Sequence, residues 1–335
     1  MNLRTVDIVG GGLAGLALGI GLRARGVPVR LREAGSYPRH RVCGEFITAL
    51  DAKTQADLGL EKVFEEALPA SSVSWQEPGR RRMRHQLPSP ALCLSRHRLD
   101  LVMSEQFAAS GGELETNCRA SSEHLVGRIF ACGRRPEKTS RWIGLKQHFR
   151  QLPLNDDLEL HLGKNAYTGL TRVENGIVNV CGLFPRPAPG EDANLCSRLH
   201  AVGLSALAER ISAAVPVEDS ACATAGLDYG QPNPHDDSIG DHAGLIPPFT
   251  GHGMTIALQS AAIAAPLIEA WSRGRADWTQ TLMAMRKTLH RRFASRIAWG
   301  RVLHPWILHP RRRIAIHALH RVGLLPFRAL YHLCH

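Results

Sequence analysis

The sequence contains 335 residues, 44 % of them apolar, with eight cysteines and a formal net charge of +11. That length suits one large or two modest domains built around a real core. No run of eighteen uninterrupted apolar residues occurs, which predicts no transmembrane span. Cys43, Cys93, Cys118, Cys132, Cys181, Cys196, Cys222 and Cys334 make no CxxC pair and no metal-ligand spacing. The N-terminus carries no signal-peptide pattern, so the cysteines read as reduced thiols of a cytoplasmic protein, and no metal site is expected. The charge is concentrated. Residues 286–335 hold 11 Lys and Arg, seven His and no Asp or Glu, while the first 285 residues carry 30 basic and 30 acidic side chains.

The chain opens on a strand–helix–strand pattern. Val6–Val9 is a short β-type run, and Gly10-x-Gly12-x-x-Gly15 follows it into an apolar helical segment ending at Arg25. Gly26 is the helix stop, Val27 to Leu31 is a second strand, and Glu33 stands at its end. Gly10 permits the tight turn, Gly12 lets a pyrophosphate approach the backbone, and Gly15 lets helix and strand pack closely. Leu13 and Ala14, in the first helical turn, and Ala34, beside the acid, are assigned to the same cofactor contact. Glu33, 18 residues past Gly15, is placed to accept hydrogen bonds from both ribose hydroxyls of an adenosine.

Residues 141–184 read as strands: WIGLKQHF, LELHLG and AYTGLTRV, then Asn175-Gly176 as a hairpin turn into IVNVCGLF. Lys146 and Tyr167 lie on them; we take the first as solvated and the second as a core side chain, with a pocket-facing role the alternative for either. Residues 186–215 give a Pro-bounded helix pair, and Cys222 to Leu227 a short strand returning the chain to the N-terminal domain.

A second glycine cluster, IGDHAGLIPPFTGHGMTIALQS over residues 239–260, ends in an Ala-rich helix. This decides between dinucleotides. The ribityl chain and ring of FAD extend past the first strand–helix–strand unit and need a second anchor, which NAD does not. Asp241 can bond a ribityl hydroxyl, Pro247 and Pro248 stiffen the loop, and Gly251 and Gly253 let backbone N–H groups press against the ring. The helix starting near Met254 then directs its positive end at the flavin edge where negative charge accumulates on reduction. His252, inside this loop, could donate to the ring or relay a proton, or could be a surface histidine of which only the backbone matters.

In the basic tail, Ile297, Trp299, Trp306, Ile307, Leu308, Phe327 and Tyr331 supply apolar faces, and Pro305, Pro310 and Pro326 are expected to break it into helices too short to span a bilayer. Such segments suit an anionic membrane surface, apolar side down. The alternative is packing onto the rest of the protein with a basic solvated face. No nucleic-acid recognition fold accompanies the charge, so no nucleic-acid partner is expected.

The stretches DIVGGGLAGLALGIGL, YPRHRVCGEFIT, LSRHRLD and GDHAGLIPPFTGHGM occur in the order seen in FAD-dependent oxidoreductases of the geranylgeranyl reductase type, within the para-hydroxybenzoate hydroxylase-like group. The chain resembles that family over roughly residues 5 to 272. The resemblance implies an α/β fold: a discontinuous Rossmann-like FAD-binding domain (1–70, 91–135 and 220–275), an interleaved antiparallel β-sheet substrate domain (71–90 and 136–219) forming the pocket floor opposite the flavin, and a basic helical C-terminal extension (276–335). It implies that Arg96, in an R-x-x-[LF]-D segment with Asp100, lies beside the cofactor. It also implies that Pro38–Gly44 runs along the flavin, bringing Arg41 to the cofactor and making Cys43, with His252, a catalytic candidate; a small buried hydrophobe is the alternative for Cys43.

One departure concerns the electron donor. Cys132-Gly133 replaces the Asp-Gly pair that in the wider group contributes to FAD and nicotinamide contacts, which leaves NADPH or NADH open. The implied function is FAD-dependent oxidoreduction of a hydrophobic, isoprenoid- or polyketide-like substrate, with hydride reduction of a carbon–carbon double bond as the first reading. A monooxygenase hydroxylating an aromatic or polyketide-like compound is the second, and a non-catalytic flavin- or lipid-binding homologue a third, of another class. The W-x-W-x-I-P signature of flavin-dependent halogenases is not matched by Trp142-Ile143-Gly144. The oligomeric state is open, and the location would be cytoplasmic, peripheral at the inner membrane face.

Overall fold

The computed structural model describes residues 3–134, 140–226, 237–244 and 246–334. β1 (Val6–Val9) leads into α1 (Leu13–Ala24), and β2 (Val29–Arg32) pairs with β1 in parallel. β2 starts two residues later than its sequence signal. Gly26 (φ 76°) ends the helix, the Val27 N–H is taken by Leu22 O at 3.0 Å, and Pro28 has no N–H to give. β3 (Phe46–Ile47), α2 (Ala52–Leu58), β4 (Leu68–Gln76), β5 (Met83–Cys93), α3 (Arg96–Ala109), β6 (Glu113–Glu115) and β7 (Arg128–Phe130) follow. Next come β8 (Trp142–Arg150), β9 (Leu158–Gly163), β10 (Ala166–Arg172) and β11 (Val178–Pro185), within a residue or two of the expected strands. Asn175 and Gly176 join the last two with φ of 57° and 69°, the positive pair that a tight hairpin requires. The expected helix pair is α4 (Leu195–Ala201) and α5 (Ser205–Ser212), followed by β12 (Val215–Pro216) and β13 (Cys222–Ala225).

Two sheets organise the described residues. One is parallel, in the order β6-β2-β1-β7, with α1 packed between it and α6 (Gly253–Ser272). The other has nine strands, mostly antiparallel, running β12-β8-β11-β10-β9-β4-β5-β3 with β13 also on β8. This confirms the α/β layout and corrects one strand. β13 does not return the chain to the parallel sheet: Cys222 pairs with Lys146 and Ala225 with Ile143. Leu227 lies outside the described residues. The return is made by Ser238, bridged in parallel to Phe130. The larger sheet also takes residues 68–70 and 91–93, beyond the segments expected of it.

α7 (Trp278–Leu308), α8 (Pro310–Arg321) and α9 (Phe327–Cys334) complete the fold. Pro305 does not break α7, a second correction. It sits three residues from the helix end, where it removes one hydrogen bond, and the buried Ile307 and Leu308 beyond it hold the last turn against the sheet. Pro310 does what was expected of it, opening α8 at the first helical position. α6 is long and apolar enough to cross a membrane, yet Leu258, Ala261, Ala264, Ala265 and Ile268 are fully buried against the domain core.

Candidate active site

A cavity of about 990 Å³ lies between the two sheets. Its first end is made by the turn after β1. Gly10 has φ 106°, and Gly15 lies so close that a Cβ there would sit 2.0 Å from Gly10 O. Gly12 is the opposite: a Cβ there would meet nothing within 4 Å, because it faces the cavity at the start of α1. Leu13, Ala14 and Ala34 join Gly10 and Gly12 in the wall. Glu33 is buried and already held. The Gly11 N–H donates to Oε2 at 2.7 Å, the Gly35 N–H to Oε1 at 2.9 Å, and Arg39 to Oε1 at 2.6 Å. Burial would raise its pKa, but these donors, with Arg41, hold it below the usual carboxylate range. It is therefore an oriented anion with lone pairs left to accept.

Asp100, fully buried on α3, organises two arginines. Arg96 donates to both its oxygens at 2.8 Å, and Arg41 Nε reaches Oδ2 at 3.1 Å. Both guanidinium groups line the cavity, where they give it positive potential.

The second glycine loop closes the far side. Gly240 (φ 62°) donates its N–H to Ser260 Oγ at 3.0 Å, and Asp241 follows it into the wall. Burial raises the Asp241 carboxyl to about 6, with Arg134 and Arg96 pulling the other way. Pro248–Thr250 forms a single turn, fastened by Thr250 Oγ1 to Pro247 O at 2.9 Å. Gly251 (φ 71°) leaves it against the Phe46 ring, where a Cβ would lie 2.3 Å from a ring carbon. α6 then begins at Gly253, with Pro248, Gly251, Gly253 and Met254 all in the wall. Two helix N-termini and two guanidinium groups thus face one space, as the diphosphate and ring of FAD require.

The two catalytic candidates separate. Cys43 lines the cavity, its carbonyl accepting from Asn179 Nδ2 at 2.9 Å. Burial pushes its thiol up, while Arg96 opposes the shift, so it is present as the thiol at neutral pH. His252 is fully buried and is not among the wall residues; Thr48 Oγ1 lies 3.4 Å from its Nδ1. The turn at Gly251 brings its side chain under the loop, so its contribution is the backbone at the start of α6. Cys132 is exposed, with its thiol donating to Val9 O at 3.3 Å, and lines the cavity with Gly133.

The other end of the cavity is apolar. Trp75 from β4, Leu160 from β9, Tyr167 from β10, Phe249 from the loop, Trp306 from α7 and Phe327 from α9 surround it. Tyr167 is both core and wall. The tail residues Ile307, Leu308 and Tyr331 are buried inward, and Trp299 and Trp306 are each 41 % exposed. α8 is pinned by the buried Arg313, which donates to Gly163 O at 3.0 Å and pairs with Glu77 at 3.1 Å.

Lys146 is not solvated. It is 1 % exposed, 3.3 Å from Glu45 Oε1 and 2.9 Å from His40 Nδ1, while His148 Nε2 is 2.6 Å from Glu45 Oε2. Sequence reasoning missed this group. Its signal was present: Lys146 and His148, two residues apart on β8, share one face of the strand, and Glu45 directly follows Cys43-Gly44.

No family model matches the sequence, and no curated protein matches it. Solved structures do match in fold. A flavin-dependent brominase has a TM-score of 0.74 at 18 % identity, covering 99 % of this chain and 94 % of that one. The myxobacterial chondrochloren halogenase CndH, an FAD-dependent halogenase, scores 0.74 at 14 %, covering 99 % and 96 %. A geranylgeranyl bacteriochlorophyll reductase-like protein from Thermoplasma acidophilum scores 0.70 at 16 %, covering 91 % and 88 %. The chain therefore shares the fold of these three proteins, nearly end to end.

Proposed function

We infer that the chain is an FAD-dependent oxidoreductase acting on a hydrophobic, isoprenoid- or polyketide-like substrate, and that its reaction is reduction of a carbon–carbon double bond. One observation carries this reading: the glycine-lined, positively charged end of the cavity opens directly into an apolar chamber. Bound FAD would supply hydride chemistry there. The N–H groups at the start of α1, with Arg41 and Arg96, would neutralise the diphosphate. Glu33 would accept from the adenosine ribose and Asp241 from the ribityl chain. The N-terminus of α6 would stabilise negative charge on the reduced ring. Trp75, Tyr167, Phe249 and Phe327 would exclude water and bind the substrate by apolar contact.

Hydroxylation of an aromatic substrate is the second reading, favoured by the rings at the apolar end. Tyr167 meets Phe249 edge-on at 6.4 Å in the wall, and Phe249 is backed by His304, parallel at 5.8 Å; such aromatic walls suit a planar guest. An anaerobic titration of the FAD-loaded protein with NADPH, then NADH, tests both. Bleaching of the flavin band by either, followed by admission of oxygen with and without substrate, separates reductase from monooxygenase. Bleaching by dithionite alone points to a protein electron donor or to a binding role. A protein that takes up no FAD sinks the reading.

The tail is proposed to rest on an anionic membrane surface. Eight of the twelve large apolar side chains exposed among the described residues fall between Trp299 and Leu333, interspersed with arginines. A substrate dissolved in that membrane would meet the helices that wall the apolar chamber.

A further inference from the structure

We propose that His40 is the proton donor to the substrate and that the buried Lys146, held by Glu45 and His148, refills it; the proposal deepens the reductive reading above and rests on it.

The cluster is a continuous chain behind the cavity wall. His148 Nε2 lies 2.6 Å from Glu45 Oε2, Glu45 Oε1 lies 3.3 Å from Lys146 Nζ, and Lys146 Nζ lies 2.9 Å from His40 Nδ1. Glu45, Lys146 and His148 are at most 2 % exposed, and only His40 of the four reaches the cavity. Burying a lysine and a glutamate is costly, and one good pair would repay as much of that cost as this geometry does. The two imidazoles are what a merely structural pair would not need. Glu45 is further held at φ 60°, an uncommon conformation for a side chain of its size.

The protonation states suit delivery. Burial and the neighbouring Lys146 lower His40 to about 4, so its ring is neutral at pH 7. With Nδ1 accepting from the ammonium, the ring proton sits on Nε2. The charged groups around it come from several elements. His97 of α3 stacks on His40 at 4.5 Å and His148 of β8 meets it edge-on at 4.9 Å. Cys181 and Cys222 flank Lys146 on the adjacent strands, Cys43 is next to Arg96, and Glu174 acts on His97. Cys43 is the weaker donor. Its thiol is beside a guanidinium that does not give up its proton, so nothing there replaces a proton once spent.

The chemistry balances without another reagent. Bound flavin in its reduced form would supply the hydride, with its electron pair, to one carbon of the double bond. The electron pair of the broken π bond remains on the neighbouring carbon, which takes the Nε2 proton of His40. Nδ1 takes a proton from Lys146, which keeps the ring neutral as the other tautomer. After the product leaves, Nε2 takes a proton from water in the cavity and Nδ1 returns its proton to Lys146, restoring the starting state.

The test uses FAD-loaded protein and two readouts. Nitrogen-15 NMR of the histidine-labelled protein, from about pH 5 to pH 8, is expected to show His40 neutral with its proton on Nε2. A charged His40, or a proton on Nδ1, overturns the proposal whether or not any substrate turns over. The second readout mixes dithionite-reduced protein anaerobically with geranylgeraniol in micelles and follows flavin reoxidation. His40→Asn keeps a hydrogen-bond acceptor for Lys146 and is expected to bind FAD and accept electrons from dithionite as the wild type does. Its reoxidation should be slower by about 100-fold or more, with partial rescue by added imidazole. Unchanged reoxidation in H40N overturns the proposal. If the wild type is not reoxidised, the reductive reading fails instead, and the NMR result still decides the state of His40.

Discussion

The two ends of the cavity are built in opposite ways. The glycine end takes its first wall from one local run, Val9 to Ala14, and its second from another, Asp241 to Met254. In each, a few residues both shape the backbone and line the cavity. The apolar end is assembled from side chains scattered between Trp75 on β4 and Cys334 on α9. A cradle for a diphosphate must place backbone N–H groups within hydrogen-bond reach, and only contiguous chain with glycines can do so. An apolar chamber asks only for area and shape, which any element can contribute.

Two substitutions at the glycine end should give the largest and most contrasting effects. Gly15→Val puts a Cβ 2.0 Å from Gly10 O and 3.2 Å from Ala131 Cβ, in residues held by backbone hydrogen bonds from the Gly10 N–H to Arg32 O at 2.8 Å and from the Ala131 N–H to Val9 O at 2.7 Å. Helix and sheet would be forced apart, and a loss on the order of 4 kcal/mol or more is expected in denaturant unfolding. Gly12→Val adds a Cβ that meets no protein atom within 4 Å. It should unfold with the wild type and lose FAD affinity by about 100-fold, since only the ligand occupies that space. If the two variants behave alike, the division between packing and binding glycines is wrong.

At the opposite end the matching probe is Glu159 on β9, 2 % exposed, which accepts from the Asn155 N–H at 2.6 Å, Arg210 at 2.6 Å and His161 at 2.7 Å. Burial works against the charge, yet these donors bring its pKa down to about 2. A pKa lowered by folding stabilises above the ordinary carboxylate value and stops doing so as pH falls through about 2. Glu159→Gln should therefore cost about 3 kcal/mol at pH 7 and progressively less as the pH is lowered toward 2. A loss independent of pH would mean that shape, rather than charge, holds β9 to α5.

How much of this was legible follows the same division. The placement of Gly10, Gly12, Glu33, Asp241 and the Pro248–Met254 loop around one cavity, and of Gly15 at the helix–strand contact, was readable because each spacing is fixed by a local turn. The four strands of residues 142–185 were readable as short strand-like runs bounded by turns, with Asn175-Gly176 as the hairpin. Two placements needed the tertiary structure. His252 sits in the right loop, but the turn at Gly251 decides which way its side chain goes. Lys146 alternates on a strand, and a lone lysine there reads as solvent-facing until Glu45, 101 residues earlier in the chain, is brought beneath it. The course of α7 through Pro305 was hidden for a related reason: burial of Ile307 and Leu308 against distant strands outweighs one missing N–H.

Asp241 sharpens the comparison at the junction of the two ends. Its carboxyl is raised to about 6 by burial, so in the FAD-free protein ionising it opposes folding. Stability from this group is present in acid and lost as pH rises through about 6. Asp241→Asn should raise the thermal midpoint of the FAD-free protein at pH 8 and leave it unchanged at about pH 3, below the carboxyl's unfolded value. It should also weaken FAD binding by about tenfold, the loss of one charge-assisted hydrogen bond. A midpoint raised equally at both pH values would separate the effect from ionisation.

The smallest effect is expected where the apolar chamber meets its surroundings. Val322 and Leu324, 64 % and 68 % exposed after α8, lie beside Arg321 and have no place in the cavity wall. If the tail rests on a membrane, Val322→Ser/Leu324→Ser should reduce partitioning onto phosphatidylserine-containing vesicles by about tenfold, from the apolar area withdrawn. FAD content and unfolding should stay as in the wild type, because neither side chain packs on either end of the cavity. Raising the salt should weaken binding of both proteins, through the arginines around the patch. Equal partitioning of the two proteins, or wild-type binding indifferent to lipid charge, would return the basic face to solvent. The tail would then be what its inward-facing half already is, the wall of the apolar chamber.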